Sequence, residues 1–177
     1  MRIVYAVSLV KGQTPNSWWE IILKVDLLPI SDLSPKTRGQ LRGELSMEGR
    51  RILVADDLAS VLREVVKLLD KSFEIVGMVS DGQTALDTIL AIRPDLAVLD
   101  ISMPGMSGIE VARELRNRGS KTKVVFLTVH EDTDIQATCF AAGGKGYVLK
   151  VLMDGDLVHA LEEALAGRKF TSRFTHH

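Results

Sequence analysis

The sequence predicts an α/β fold: a doubly wound parallel sheet of five strands in the order 2-1-3-4-5, with helices on both faces. Three observations carry this. First, five short apolar runs alternate with segments of helical apolar spacing in about 120 residues, and alternating units of this kind build a parallel sheet with right-handed crossovers. Second, runs such as AVL and VVFL have no polar side, as befits strands covered on both faces. Third, carboxylates end the first and third runs. In this strand order those two ends meet at the topological switch point, where ligands bind.

The elements follow in order from Arg50. RILVADD is an apolar run ending in Asp56 and Asp57, and Leu58, Val61, Leu62, Val65 and Leu69 then recur at helical spacing. FEIVGMV is the second strand. Ala85, Leu86, Ile89 and Leu90 mark the second helix, which RPD breaks. LAVLD is a buried strand closing on Asp100, and MPGMSG is a loop whose Ser107 N-caps a helix through Arg118. KVVFLT is the fourth strand. Asp132–Ala142 forms a weaker helix closed by Gly143 and Gly144, and GYVLK is the fifth strand. The last helix begins at Asp154 or Asp156, turns Leu157, Val158, Leu161, Ala164 and Leu165 inward, and stops at Gly167.

The chain has 177 residues, 46% apolar and 25% charged, a balance that argues against wholesale disorder. Lys plus Arg is 22 and Asp plus Glu is 23, so no chain-wide basic field for nucleic acid exists. The longest mostly apolar run, Ile3–Val10, is far short of the ~20 residues that span a membrane. Cys139 is the only cysteine, which excludes an internal disulfide and a multi-cysteine zinc site. A reducing, cytoplasmic location is expected. Residues 1–49 hold both tryptophans, Trp18 and Trp19, and show no strand–helix alternation. They are expected to be a poorly structured or loosely docked extension. Residues 50–170 are expected to be the folded domain, and 171–177 a tail.

Asp56, Asp57 and Asp100 should converge at the switch point. Three like charges there raise one another's pKa, and a hard divalent cation relieves them. Magnesium takes oxygen ligands and keeps several waters, so carboxylates, a carbonyl and water suffice. Thr128 and Lys150 end strands on the same rim. A hydroxyl, an ammonium, a metal and a carboxylate together suit phosphoryl chemistry. Asp100, which opens the loop DISMPGMSG, is the natural nucleophile.

RILVADD, PDLAVLDISMPGMSGIE, VVFLT and GYVLK together resemble the receiver domain of two-component response regulators, a flavodoxin-like fold. The resemblance covers about residues 50–170. It implies that Asp57 and Asp100 ligate Mg2+ with the carbonyl of Ser102, while Asp56 acts mainly through bound water. It implies that Asp100 accepts the phosphoryl group, Lys150 pairs with its oxygens, Thr128 hydrogen-bonds it, and Tyr147 changes rotamer in response. Pro104 and Gly108 match the loop after the acceptor. His130 and Ser102 would line the path of the attacking water. The implied partners are a sensor histidine kinase or phosphotransfer protein, and a second copy of the chain. AAGGKGYVLK with DLVHALEEALAGRKF resembles the LuxR/NarL type, which usually carries a helix-turn-helix domain. Only seven residues follow Phe170, so no DNA-binding domain is expected in this chain.

Three other readings stay open at this level. A haloacid-dehalogenase-like enzyme would want a second Asp where Ser102 stands. A flavodoxin would want a Ser/Thr/Gly-rich phosphate loop in place of DDLAS. A receiver fold used only for docking would not need the intact carboxylate set. His130 and His159 fall on different elements without a third metal-ligand partner. Cys139 reads as a small core residue. The cluster Arg113, Arg116, Arg118, Lys121 and Lys123 reads as a solvated face.

Overall fold

The computed structural model describes residues 49–69 and 71–173. The chain divides into two units, Met1–Ser46 and Met47–His177, and everything below concerns the second. The expectations for residues 1–48 and for the tail residues 174–177 lie outside the described residues. In chain order the elements are β1 (Arg51–Ala55), α1 (Ala59–Leu69), β2 (Glu74–Val79), α2 (Gly82–Ile92), β3 (Leu96–Asp100), α3 (Gly108–Asn117), β4 (Lys123–Thr128), α4 (Thr133–Ala141), β5 (Gly146–Leu149), a 3₁₀ turn (Lys150–Leu152), α5 (Met153–Leu165) and β6 (Phe170–Thr171). The sheet is parallel throughout, in the order β2-β1-β3-β4-β5-β6. No described helix is long and apolar enough to cross a membrane.

Period-two alternation splits the strand side chains between two cores. Ile52, Val54, Leu96, Val98, Val125, Leu127 and Val148 face α1 and α5, meeting Val65, Leu69, Leu157 and Leu161. Leu53, Ala55, Ala97, Leu99, Val124, Phe126 and Tyr147 face α2, α3 and α4. Each fully buried Leu, Ile or Phe contributes about 1.5–3 kcal/mol of transfer free energy, which makes the sheet the rigid part of the molecule. Helix ends are fixed locally. Ser107 accepts from the Glu110 amide while Glu110 reaches back to the Ser107 amide, a reciprocal cap. Asp81 and Asp132 cap α2 and α4 through their carboxylates, and the hydrogen bonds from the capped amides hold both acids below their usual range.

The expected order 2-1-3-4-5 is present, and a short sixth strand extends it. After Gly167, at φ +80°, the chain turns back and lays Phe170 and Thr171 beside β5, with the Phe170 amide on Lys145 O and the Ser172 amide on Tyr147 O. A two-residue strand is too short to leave a periodic signature. The folded unit therefore runs past residue 170: Ser172 is buried and its hydroxyl donates to Asp156. Leu58, which shares the helical spacing of Val61, Leu62, Val65 and Leu69, precedes α1 and is 50% exposed. The last helix starts at Met153, one residue before Asp154, because the chain leaves β5 through the 3₁₀ turn.

Candidate functional site

β1 and β3 are neighbours, with Ala55 paired to Leu99, so the residues following them project from the same edge of the sheet. Asp56 and Asp57 follow β1, and Asp100 ends β3. One carboxylate oxygen from each lies within 4.8 Å of the other two. Asp100 pairs with Leu127 on β4, which places Thr128 one step further along the rim. Lys150 leaves the end of β5 and reaches back across both strands. Its Nζ lies 2.7 Å from Asp56 Oδ2 and 3.3 Å from Asp100 Oδ1. Asp56 and Asp100 are buried, Asp57 is exposed, and the Lys150 side chain is 11% exposed. The structure thus brings Asp56, Asp57, Asp100 and Lys150 together. Lys150 approaches Asp56 more closely than Asp100, a contact that the sequence reading did not anticipate.

Burial is the main cause that raises the Asp100 carboxyl above its ordinary range. The Lys150 ammonium works against it, and the Asp56 charge adds to it. A desolvated carboxylate beside a like charge is costly unless a cation compensates. Asp56 Oδ1 accepts from the Leu58 amide at 3.0 Å, but the buried Oδ2 has no hydrogen-bond partner, only the ammonium charge. A buried carboxylate oxygen held only by the Lys150 ammonium, an exposed carboxylate and a desolvated one form an all-oxygen donor set. That set fits a hard divalent cation that keeps part of its water shell.

The loop after Asp100 is held by close backbone approaches. A Cβ on Gly108 would lie 2.1 Å from the Asp100 carbonyl oxygen, and one on Gly82 would lie 1.8 Å from the Met106 carbonyl oxygen. Only glycine lets α3 and α2 begin this close to the loop. The Gly108 amide donates to Ile101 O and the Gly82 amide to Pro104 O. The segment that presents Asp100 is therefore pinned at both ends.

His130 ties the opposite wall together. Its amide donates to Thr128 Oγ1 at 3.1 Å, its carbonyl accepts from the Tyr147 hydroxyl at 2.7 Å, and its Nε2 lies 3.3 Å from Ser102 Oγ. Tyr147 is 3% exposed, and burial pushes its phenol up to about 12. In this structure the ring lies inside, and its hydroxyl finds an acceptor at the His130 carbonyl, so it buries no unsatisfied atom. Sequence reasoning also missed an apolar rim. Leu58, Val129 and Val151 are 50%, 69% and 74% exposed. Each directly follows a site residue, Asp57, Thr128 and Lys150 in turn, and an apolar residue next to a polar strand end is the only signal that could have marked them.

His159 is exposed, near Glu162 and edge-on to Phe170, away from any carboxylate cluster. Cys139 is a fully buried core residue, and burial raises its thiol to about 12.

Comparison with known proteins agrees with this geometry. A family model described as "Response regulator receiver domain" matches residues 52–162. The chain is 32% identical over 129 residues to the nitrate/nitrite response regulator protein NarL of Escherichia coli, covering 72% of this chain and 60% of that one. It is 36% identical over 121 residues to a protein-glutamate methylesterase/protein-glutamine glutaminase of Nocardioides sp., covering 66% of this chain and 33% of that one. The chain thus spans a third to three fifths of the length of these relatives. Among solved structures, the signal receiver domain of the putative response regulator NarL from Mycobacterium tuberculosis superposes with a TM-score of 0.66 at 34% identity, covering 68% of this chain and 99% of that one.

Proposed function

The chain belongs to the response regulator receiver family, and from that premise we propose that Asp100 is its phosphate acceptor. The donor is a histidine kinase or phosphotransfer protein, and Mg2+ held by Asp56, Asp57, Asp100 and the Ser102 carbonyl supports the transfer. A receiver domain is a signalling switch rather than a metabolic enzyme, and this one works in the cytoplasm. The observation that carries the reading is the crevice in which Lys150 bridges Asp56 and Asp100 beside Asp57.

One carboxylate oxygen of Asp100 attacks the phosphorus of a phosphohistidine in line. The P–N bond breaks, and the imidazole leaves with the electron pair and takes up a proton. Mg2+, when bound, neutralises charge on the phosphoryl oxygens. Lys150 supplies the second positive charge by exchanging its contact with Asp56 for a phosphoryl oxygen. The Thr128 hydroxyl turns to the same group and gives up the His130 amide. Residues 129–132 then resettle, and the Tyr147 hydroxyl that rests on the His130 carbonyl moves with them. Phosphorylation adds about -1.5 to -2 charges, enough to drive such a rearrangement. Leu58, Val129 and Val151 form the apolar rim on which the donor protein sits.

Incubation with a small phosphodonor and Mg2+, followed by mass spectrometry, tests the assignment. One phosphoryl group per chain is expected, lost with a chelator and lost in Asp100→Asn; equal labelling in that variant overturns it. Val151→Asp should slow transfer from a donor protein while leaving labelling by the small phosphodonor unchanged. Residues 49–173 contain every described element, and we propose that they fold without residues 1–46. A Tm that drops by more than ~10 °C on truncation would contradict this.

A further inference from the structure

The opposite edge of the sheet carries a second constellation with no part in the phosphoryl site. A concavity of about 500 Å³ opens there between the end of α3, the start of β4 and the segment that enters β5. This lies within the usual 300–1,000 Å³ of small-molecule pockets. Arg116, Lys121, Lys123 and Lys145 line it, and no carboxylate does. Lys121, Lys123 and Lys145 make no ion pair or side-chain hydrogen bond among the described residues. On the same sheet edge, the Asp95 carboxylate is already engaged by Arg50 and the Arg51 amide. Arg116 is aimed by the fold: its stem would lie 3.5 Å from a Cβ on Gly143, and its guanidinium donates to the Ala141 carbonyl at the end of α4. The floor is apolar, made by the buried Ala112, Leu115 and Val124.

Four cations around an apolar floor call for an anion with several negative charges and an apolar or planar body. We propose that this pocket binds a small phosphate ester of the nucleoside diphosphate type. Lys123, Lys145, Lys121 and Arg116 hold the phosphates through charge-assisted hydrogen bonds, and the floor takes the body of the ligand. Lys123 and Thr128 sit at opposite ends of β4, five steps of ~3.3 Å or about 17 Å apart. The two sites are therefore separate, although both draw on β4 and β5.

The test is calorimetric titration of the full chain with ADP and, separately, with pyrophosphate, at low salt and with a chelator present so that the carboxylate site cannot recruit a metal. One ADP per chain is expected, with affinity falling steeply as salt rises. The double variant Lys123→Gln, Lys145→Gln should weaken binding by at least ~10-fold, the loss of two charge-assisted contacts. Lys121→Gln, at an exposed position, repeats the test where folding is not at risk. Asp100→Asn should bind ADP as the wild type does. Pyrophosphate bound as tightly as ADP supports the cationic half of the pocket alone and overturns the role of the floor. No saturable ADP binding, or binding undiminished in both lysine variants, overturns the site. Duplex DNA bound through the same lysines while ADP is not would replace the proposal with a nucleic-acid surface.

Discussion

α5 and α4 flank β5 on opposite faces of the sheet, and they are held in different ways. α5 buries Met153, Leu157, Ala160, Leu161 and Ala164. α4 buries Cys139 alone, with Ile135 and Phe140 only partly covered. What ties α4 to its surroundings is largely polar: Gln136 Nε2 on Thr171 Oγ1 at 2.9 Å, the Arg116 guanidinium on Ala141 O, and the Lys169 ammonium over the Phe140 ring. A buried leucine is worth several kcal/mol, whereas a solvent-accessible hydrogen bond is worth about 1. One side of β5 is thus a fixed scaffold, and the other is an element that can shift at low cost. The strand between them carries Tyr147 on the α4 side and delivers Lys150 to the crevice.

The largest effect should come from the scaffold side. Leu161→Ala is expected to cost ~3 kcal/mol in urea denaturation, while Ile135→Ala on α4 should cost only ~1. Equal losses would erase the distinction. Next comes Lys150→Met, which removes the cation between two buried carboxylates. A loss of ~2 kcal/mol is expected without metal, limited because Asp100 can take up a proton. Mg2+ should restore more stability to this variant than to the wild type, since no ammonium competes for Asp56; equal Mg2+-induced shifts in Tm would contradict the competition.

Asp100→Asn should be smaller and pH-dependent. Burial raises the Asp100 carboxyl, so the folded chain holds that proton more tightly than the unfolded chain does. Its stabilising contribution is complete below the unfolded value near ~3.9 and is lost as pH rises through the raised folded value. The Asn variant should therefore melt higher than wild type at pH 7 without metal, with the gain gone below about pH 4. A gain independent of pH would assign the effect to packing instead. The smallest effect is Tyr147→Phe. Loss of the bond to His130 O should cost about 1 kcal/mol or less. Amide exchange should quicken in residues 129–132 and stay unchanged in α5; uniform quickening would dissolve the contrast.

The sequence made the scaffold legible because its elements are long and periodic enough to announce themselves. Val65, Leu69, Leu157 and Leu161 recur on helical faces, and each main strand is a run of four to six mostly apolar residues. Asp56, Asp57, Asp100 and Lys150 were legible as a set because strand order alone brings their positions to one rim. The contacts that organise the α4 side were not. His130 acts there through its amide and carbonyl as well as its ring, and backbone groups carry no residue identity. β6 depends on a turn at Gly167 and two pairs of residues, too little to register as a pattern. Lys150 leans on Asp56 because a buried carboxylate oxygen lacks any other partner, a three-dimensional deficit that no spacing reveals.

Both borders of the described sheet carry features that disfavour strand addition. On one border β2 carries an extra residue between the partners of Ile52 and Leu53, pairing Ile75 and Gly77 and skipping Val76. Such an irregularity twists a border away from flat pairing. On the other border, the amides of Phe170 and Ser172 take up the carbonyls of Lys145 and Tyr147. A short final strand leaves too little open ladder to template another chain. Cutting the chain before Phe170 would free the Lys145 and Tyr147 carbonyls and expose the edge of β5 to pairing with another chain.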